Sequence, residues 1–455
     1  MRLLPVLAVA LSIGTGSAMA ACGSTSENAA PVTTSPESGP VVDMPQDDGG
    51  VADAEVAYPA PHAALPQVKT MGGPVLATPK VVPVFFPGFA FRTELVDFLP
   101  KMGKSAYWKA VGSEYGVGAL TAEATIDTVD APDAVITDAE IQTWLKSRFD
   151  GTHPEFGTTP IAGAIYTLFY PPTTTIYLGN APTPNDGGVE GGVPEGGTKG
   201  PRAQASCKSF GGYHQDVKVG NVDVSYAVIP QCAMFGPLTG VDVVTGTPSH
   251  ELIEAATDPF PIAKPAYTSV DDDHLSWTFA LGAGEVGDMC AQYDSSFYKD
   301  PEIGYVVQRS WSNAAATAGH EPCVPVPASE VPYFNASPRL TDDISLSIGT
   351  TKGVTVPVGM SKTIELDLFS SAAMTGPMTV GIQALSGGGG GGGGAPPAAP
   401  PVSFALDKTT GVNGDKITVT VTSNAAASSR LGATTFVITS TVGTEKHYWA
   451  GVVGN

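Results

Sequence analysis

Five consecutive residues, His250-Glu251-Leu252-Ile253-Glu254, carry the clearest chemical potential in the chain. On a helix, His250 and Glu254 stand four apart and leave the same face, so an imidazole and a carboxylate can grip one ion. Glu251 points about a quarter-turn aside. The spacing is that of the His-Glu-x-x-His zinc helix, with Glu in place of the second His. In such helices the first Glu is no ligand; it is the general base for a water that the metal acidifies toward a pKa of ~7. The plainer alternative is that acids in a first helical turn merely favour the macrodipole, by roughly 0.3–1 kcal/mol each.

A further ligand must come from elsewhere. Gly284-Glu285-Val286-Gly287-Asp288-Met289-Cys290 offers two acids three apart, Glu285 first and Asp288 second, beside a cysteine that could anchor the loop. His214, close to Cys207, is another candidate, with a surface or hydrogen-bonded histidine as its plainer alternative. Asp271-Asp272-Asp273-His274 could ligate calcium but reads better as a solvated acidic loop. A carboxylate-rich set suits a divalent ion, zinc first, with manganese and calcium also compatible. No Gly-x-Ser-x-Gly elbow, phosphate loop or dinucleotide fingerprint occurs in a strand–helix setting.

The elements that must position these groups follow from pattern. Thr247 as cap, Pro248 at the first position and Asp258-Pro259 as terminator predict a helix over Thr247 to Asp258. The apolar runs Val81 to Phe86, Ala164 to Tyr170 and Val222 to Ile229 predict strands, with Pro83 demanding an edge or a bulge. Thr93 to Lys101, Ser105 to Val111 and Thr137 to Leu145 carry helical spacing, the last capped by Thr137 or Asp138. Residues 183–202 read as a Gly-rich loop. Mixed strands and helices predict an α/β or α+β module over residues 72–327. From residue 333 the texture changes to short alternating runs, including Ser345 to Ile348, Thr363 to Leu368 and Ile417 to Val421, with turns such as Asn413-Gly414. These predict an immunoglobulin-like all-β sandwich over 333–455, interrupted by a Gly-rich insertion at 386–401. The chain is therefore expected to be multidomain, as its 455 residues also suggest.

The N-terminus predicts export. Arg2, the apolar run Leu3 to Ile13 and Ala18-Met19-Ala20 form a signal peptide over residues 1–21, too short in its apolar part to span a bilayer. Met19-Ala20-Ala21-Cys22 resembles a bacterial lipobox, with Met where Leu is usual, so Cys22 is expected to be lipidated; a secreted protein is the alternative. Residues 22–71, rich in Ser, Thr, Pro and Ala, read as a disordered tether. Membrane contact is then expected only through the lipid, with the protein in the cell envelope or secreted. A net charge of −21 argues against nucleic acid. Outside the cytoplasm, Cys207, Cys232, Cys290 and Cys323 are expected as disulfides; of three connectivities, pairing neighbours (Cys207–Cys232, Cys290–Cys323) closes moderate loops, each adding roughly 3–4 kcal/mol.

Taken in order, Gly212-Tyr213-His214, Pro230-Gln231-Cys232, Ser249-His250-Glu251-Leu252-Ile253-Glu254 and Glu285-Val286-Gly287-Asp288-Met289-Cys290 resemble the Exordium, or phosphate-induced, protein family over roughly Gly72 to Val326. Val286 and Met289 stand where Ile and Leu are usual. The family's plant members are associated with growth and the cell wall, and the resemblance implies no particular reaction. By motif position it points to His214, His250, Glu251, Glu254, Glu285 and Asp288. Two functions are expected to compete. One is a surface metal-dependent hydrolase, most plausibly a peptidase, with metal on His250, Glu254 and Glu285 and Glu251 as base. The other is a non-catalytic cell-surface or cell-wall module, with a structural metal or hydrogen-bond network and a sandwich that binds glycan or protein; the partners expected for the protein are peptide or cell-wall polymer.

Overall fold

The computed structural model describes residues 57–179, 204–327, 331–385, 400–427 and 431–455. The signal peptide, Cys22, the loop 183–202 and nearly all of the 386–401 insertion lie outside these. The described residues are mostly sheet, in several sheets with few helices.

The tether expected over residues 22–71 does not extend to its predicted end. Val68–Thr70 pairs antiparallel with Tyr267–Val270, Leu65 and Val68 are buried, and the His62 ring stacks on Phe369 at 3.7 Å. The Ala60 amide donates to Asn413 Oδ1 at 3.0 Å. A composition window dominated by Ala and Pro hides the few apolar side chains that decide the matter.

The sheet that carries the site has Lys80–Phe85, Ala164–Tyr170 and Val222–Pro230 running parallel, and Tyr213–Val219 antiparallel at one edge. On the far side of Lys80–Phe85, two short strands, Thr121–Ala122 and Ile126–Asp127, pair with its two ends. The break between them falls opposite Pro83, whose nitrogen has no hydrogen to give; the demand for an edge or bulge is met by interrupting the neighbour. Alternation along the strands separates two cores. Val81, Phe85, Ile165, Phe169 and Ile229 pack with Leu95, Phe98 and Leu99 of helix Arg92–Lys104 and with Leu252 and Ile253. Val84, Leu168, Tyr226 and Val228 pack with Ile141 and Leu145 of helix Asp138–Ser147. Thr137 caps that helix in a capping box with Glu140.

The site helix runs Val241–Thr257, six residues earlier than predicted, so Pro248 lies inside it rather than at its first position. Val241, Val243 and Val244 are weak helix formers, but Val243, Val244 and Thr245 are fully buried, and packing overrides propensity. The missing Pro248 N–H leaves the helix ladder short of one donor at that turn.

Residues 334–455 form two antiparallel-dominated sheets. Phe334–Pro338, Ser361–Ser370, Lys416–Ser423 and Val402–Leu406 make a four-stranded sheet; Asp342–Leu346, Gly349–Thr355, Glu445–Gly454, Ala433–Val442, Met378–Ala384 and Thr410–Gly411 make a six-stranded one. The alternating burial of Lys416–Ser423 is the period expected of a strand with one face inward. The described residues from Tyr58 onward belong to one compact unit. One contiguous set of buried side chains runs from the site helix into these sheets, with Trp277 at 6.1 Å from Trp311 and 5.9 Å from Trp449. Both expected disulfides are present, Cys207–Cys232 and Cys290–Cys323.

Candidate metal centre

Three segments distant in sequence meet at the site helix. The helix presents His250, Glu251 and Glu254, the two acids buried. The edge strand Tyr213–Val219 presents His214 on its second residue, opposite Ala227 of the next strand. The segment Glu285–Asp288 arrives from the far side; the Trp311 amide donates to Val286 O at 2.8 Å, and Cys290, two residues on, is tied to Cys323.

His250 Nε2 lies 3.1 Å from Glu254 Oε2 and 3.7 Å from Asp288 Oδ1. His214 Nδ1 lies 3.6 Å from Glu251 Oε2 and 3.7 Å from Glu254 Oε2, and its Nε2 lies 3.8 Å from Glu285 Oε2. Glu254 divides its carboxylate: Oε1 accepts the Gly287 and Asp288 amides at 3.1 and 3.0 Å, leaving Oε2 to face both imidazoles. Glu285 Oε1 accepts the Thr268 hydroxyl at 3.3 Å. The close approach explains two glycines. A Cβ on Gly287 would meet His250 Nδ1 at 2.7 Å and Glu254 Oε1 at 2.8 Å, and one on Gly212 would meet Thr247 Cγ2 at 2.5 Å.

Charge in this pocket is out of balance. Burial acts to lower the pKa of both imidazoles, but the surrounding carboxylates outweigh it. His214 is pushed up to about 10, with Glu285, Glu251 and Glu254 responsible, and His250 is raised by Glu254 and Glu251. Burial, with Glu254 and other acids nearby, raises Glu285 and Asp288 well above the carboxylate range. Glu254 alone among these acids is lowered: burial opposes, but His250 and His214 prevail. Two imidazoles thus face four acids, Glu251 and Glu254 buried and Glu285 and Asp288 half-buried.

That imbalance is the first sign that the residues fit a cation. The second is His214 Nε2, a buried nitrogen with no hydrogen-bond partner. Among the described residues, two groups could each hold a metal, His214–Glu254–Glu285 and His250–Glu254–Asp288, their ligand atoms within 4.8 Å of one another and Glu254 common to both. Donors on a tetrahedral ion with bonds of 2.0–2.1 Å stand about 3.3 Å apart, close to the 3.1–3.7 Å observed around Glu254 Oε2. The structure therefore brings together all six residues expected from sequence.

These residues line a cavity of roughly 180 Å³ that is also lined by the apolar side chains of Leu178, Phe210, Tyr213, Pro261 and Ile262. The acidic run 271–274 plays no part in it. Asp271 accepts the Gln67 amide at 2.7 Å and contacts His274 Nδ1 at 2.7 Å, and Asp272 pairs with Lys69 at 2.9 Å. Sequence reasoning missed Gln308, whose Oε1 lies 3.1 Å from His250 Nδ1. It also missed Asp258, a fully buried acid whose pKa burial raises, although the Ala266 amide bonds it. No motif marks Gln308; Asp258 was read only as a helix terminator.

No family model matches the chain, and no curated protein matches it. Solved structures give short overlaps. Domains 4 and 5 of the S-layer protein SbsC share 19% identity over 27% of this chain and 55% of that one, with a TM-score of 0.16. Domains 5–6 of the same protein give 21%, 26%, 45% and 0.15. A mutant complex of titin M10 with obscurin-like 1 Ig gives 15%, 27%, 94% and 0.14. The chain thus spans about half the length of the S-layer fragments it overlaps, and likeness of this degree leaves function to be argued from the site itself.

Proposed function

We propose that this chain is an exported metal-dependent hydrolase of the cell envelope that cuts peptide bonds. The observation that carries this is the placement of Glu251 beside the ligand cluster, its Oε2 and that of Glu254 lying at 3.6 and 3.7 Å from the same His214 nitrogen. His250, Glu254 and Asp288 hold the ion in this reading, and Glu254 links them to a second group that could hold one, His214–Glu254–Glu285. A divalent ion bound there, zinc before manganese or calcium, supplies Lewis-acid polarisation and an acidified water. Glu251 takes the proton from the attacking water and hands it to the departing amine. The apolar side chains of Phe210, Tyr213 and Ile262 in the cavity lining seat a substrate side chain, and the acids of the lining disfavour anionic substrates.

The wider setting belongs to the same proposal: a lipid anchor on Cys22 after a signal peptide over 1–21, an Exordium-like α/β module over residues 72–327, and an immunoglobulin-like sandwich that positions it near cell-wall polymer. The experiment is elemental analysis of purified protein, followed by Glu251→Gln assayed on a peptide library. Retained metal with lost turnover supports the hydrolase. Metal bound by a wild-type protein that cleaves nothing, with a melting temperature that falls on chelation, would assign the same residues to a structural centre in a non-catalytic module.

A further inference from the structure

Gln308 ends the short strand Val306–Gln308, which packs against the site helix, and only 2% of its surface is exposed. Its side chain reaches His250 Nδ1 with Oε1 at 3.1 Å. Its amide nitrogen Nε2 lies 2.8 Å from Gly287 O and 3.4 Å from Arg309 O. Both of the latter are backbone carbonyls, which can only accept. The NH₂ end of the amide must therefore face them, and the oxygen must face the imidazole; the orientation follows from donor and acceptor chemistry. An amide oxygen in turn only accepts, so His250 Nδ1 must be the donor. A neutral His250 then has its lone pair on Nε2, the nitrogen that faces Glu254 Oε2 and Asp288 Oδ1.

Gln308 is itself held at both backbone ends. Its N–H donates to Ser249 Oγ at 2.9 Å, and Ser249 Oγ donates on to Gly246 O at 2.6 Å, inside the site helix. Its carbonyl accepts the Tyr107 hydroxyl at 2.6 Å. The residue thus links the helix bearing His250 to the Gly287 carbonyl of the acidic loop, so one side chain sets both the ring orientation and the distance of the loop that brings Asp288.

We infer that Gln308 is the positioning residue of the centre: it fixes His250 in the tautomer that offers Nε2 to a divalent cation and holds the Asp288 loop against that nitrogen. This rests on the metal-binding reading above, and it adds a requirement that reading lacks, since nothing in the ligand set demands a neutral acceptor behind His250. Partners of this kind behind a ligating histidine are worth about 10–100-fold in metal affinity.

The test uses zinc alone, in the full-length mature protein, with affinity read by competition against a chromophoric chelator. Gln308→Met keeps the bulk and removes the side-chain hydrogen bonds; the expectation is about 10–100-fold weaker zinc binding. Gln308→Glu keeps the acceptor toward Nδ1 but loses the donor to the Gly287 carbonyl, so zinc affinity should recover only in part, to a value between those of Gln308→Met and wild type. Melting of the chelated variants within a few degrees of wild type separates positioning from folding. Independently of any variant, ¹⁵N NMR of the zinc-loaded wild-type protein should show His250 bound through Nε2 with a protonated Nδ1. Unchanged affinity in Gln308→Met, or zinc on Nδ1 of His250, overturns this inference while leaving the metal site intact. Failure of the wild-type protein to take up zinc or any other divalent ion overturns both.

Discussion

Glu254 accepts the Gly287 amide at 3.1 Å with one carboxylate oxygen and turns the other toward His250 at 3.1 Å. Through this one side chain, the helix that supplies the imidazole recognises the backbone of the loop that supplies Asp288. The contact leaves no room for a methyl group. Gly287→Ala would press a Cβ against His250 Nδ1 and Glu254 Oε1, both under 3.0 Å away, and the neighbours are themselves fixed by hydrogen bonds. Overpacking of this type costs about 1–3 kcal/mol. The expected outcome is a lower melting temperature together with at least tenfold weaker metal binding, read by thermal denaturation and chelator competition; a variant that matches wild type in both would show the loop to be freer than described.

Metal removal should make stability sensitive to pH in a defined direction. Glu285 and Asp288 have folded pKa values above their unfolded ones, through burial and neighbouring acids. Their contribution is full below about pH 4 and is lost as pH rises through the folded values. His214 and His250 are also raised, against burial, by the carboxylates around them. Their contribution is full below about pH 6.5 and fades as pH climbs toward the folded values, about 10 for His214. Glu254, which is lowered, has the opposite sign but acts only below about pH 4. Between pH 5 and 9 the chelated protein should therefore lose melting temperature steadily, and zinc should flatten the curve because it replaces the missing positive charge. A chelated protein that gains stability over that range would contradict the charge imbalance.

The helix of His250 and Glu254 was legible because its signal is local: a four-residue spacing on one turn needs nothing from the rest of the fold. So were the disulfides, in which neighbouring cysteines close the loops, and some strands of the C-terminal sheets, such as Ser361–Ser370 and Lys416–Ser423, where alternation is strong. The start of the site helix was not, because Val243 and Val244 favour strand and become helical only by burial against the sheet. The end of the tether was not, because Leu65 and Val68 are isolated large apolar residues in a segment dominated by Ala and Pro. Gln308 and Asp258 could not be found at all: an amide and an acid without a motif acquire meaning only from what the fold puts beside them. Strands Val402–Leu406 and Glu445–Gly454 escaped for a related reason, the first following the Gly-rich insertion and the second broken by Gly451, whose missing side chain makes room for the Phe436 ring.

The disulfide between Cys290 and Cys323 should matter to the metal more than its stability contribution suggests. It closes a loop of sequence separation 33, for which the chain-entropy model gives about 3–4 kcal/mol. Cys290 lies two residues beyond Asp288, so loss of the crosslink also loosens the acid that faces His250. A Cys290→Ala/Cys323→Ala variant is expected to melt lower and to bind zinc more weakly even at temperatures where it remains folded by circular dichroism. The pair Cys207→Ala/Cys232→Ala lies nearer His214 in sequence and should weaken zinc binding without moving the His250–Asp288 contact. Equal zinc affinity in both double variants and wild type would remove any role for the crosslinks at the centre.

The two halves of the chain, distinct in sequence texture, should unfold together. Trp277, which follows the acidic run, sits 5.9 Å from Trp449 of the last strand and 6.1 Å from Trp311. The Asp273 carbonyl accepts Thr351 Oγ1 at 2.9 Å, and Asn335 Nδ2 donates to Tyr448 O at 3.0 Å within the sheets behind. Trp449 is almost fully buried, so Trp449→Ala removes a large side chain at the junction and should cost about 3–5 kcal/mol. Because the buried set is continuous across the junction, that loss should move a single transition in calorimetry rather than peel one half away from the other. The metal centre should vanish at the same temperature, since Trp311 shares this cluster and its amide holds Val286 next to Glu285. Two calorimetric transitions in the wild-type protein, only one of them shifted by Trp449→Ala, would show instead that the halves are thermodynamically separate and that the site needs only the first.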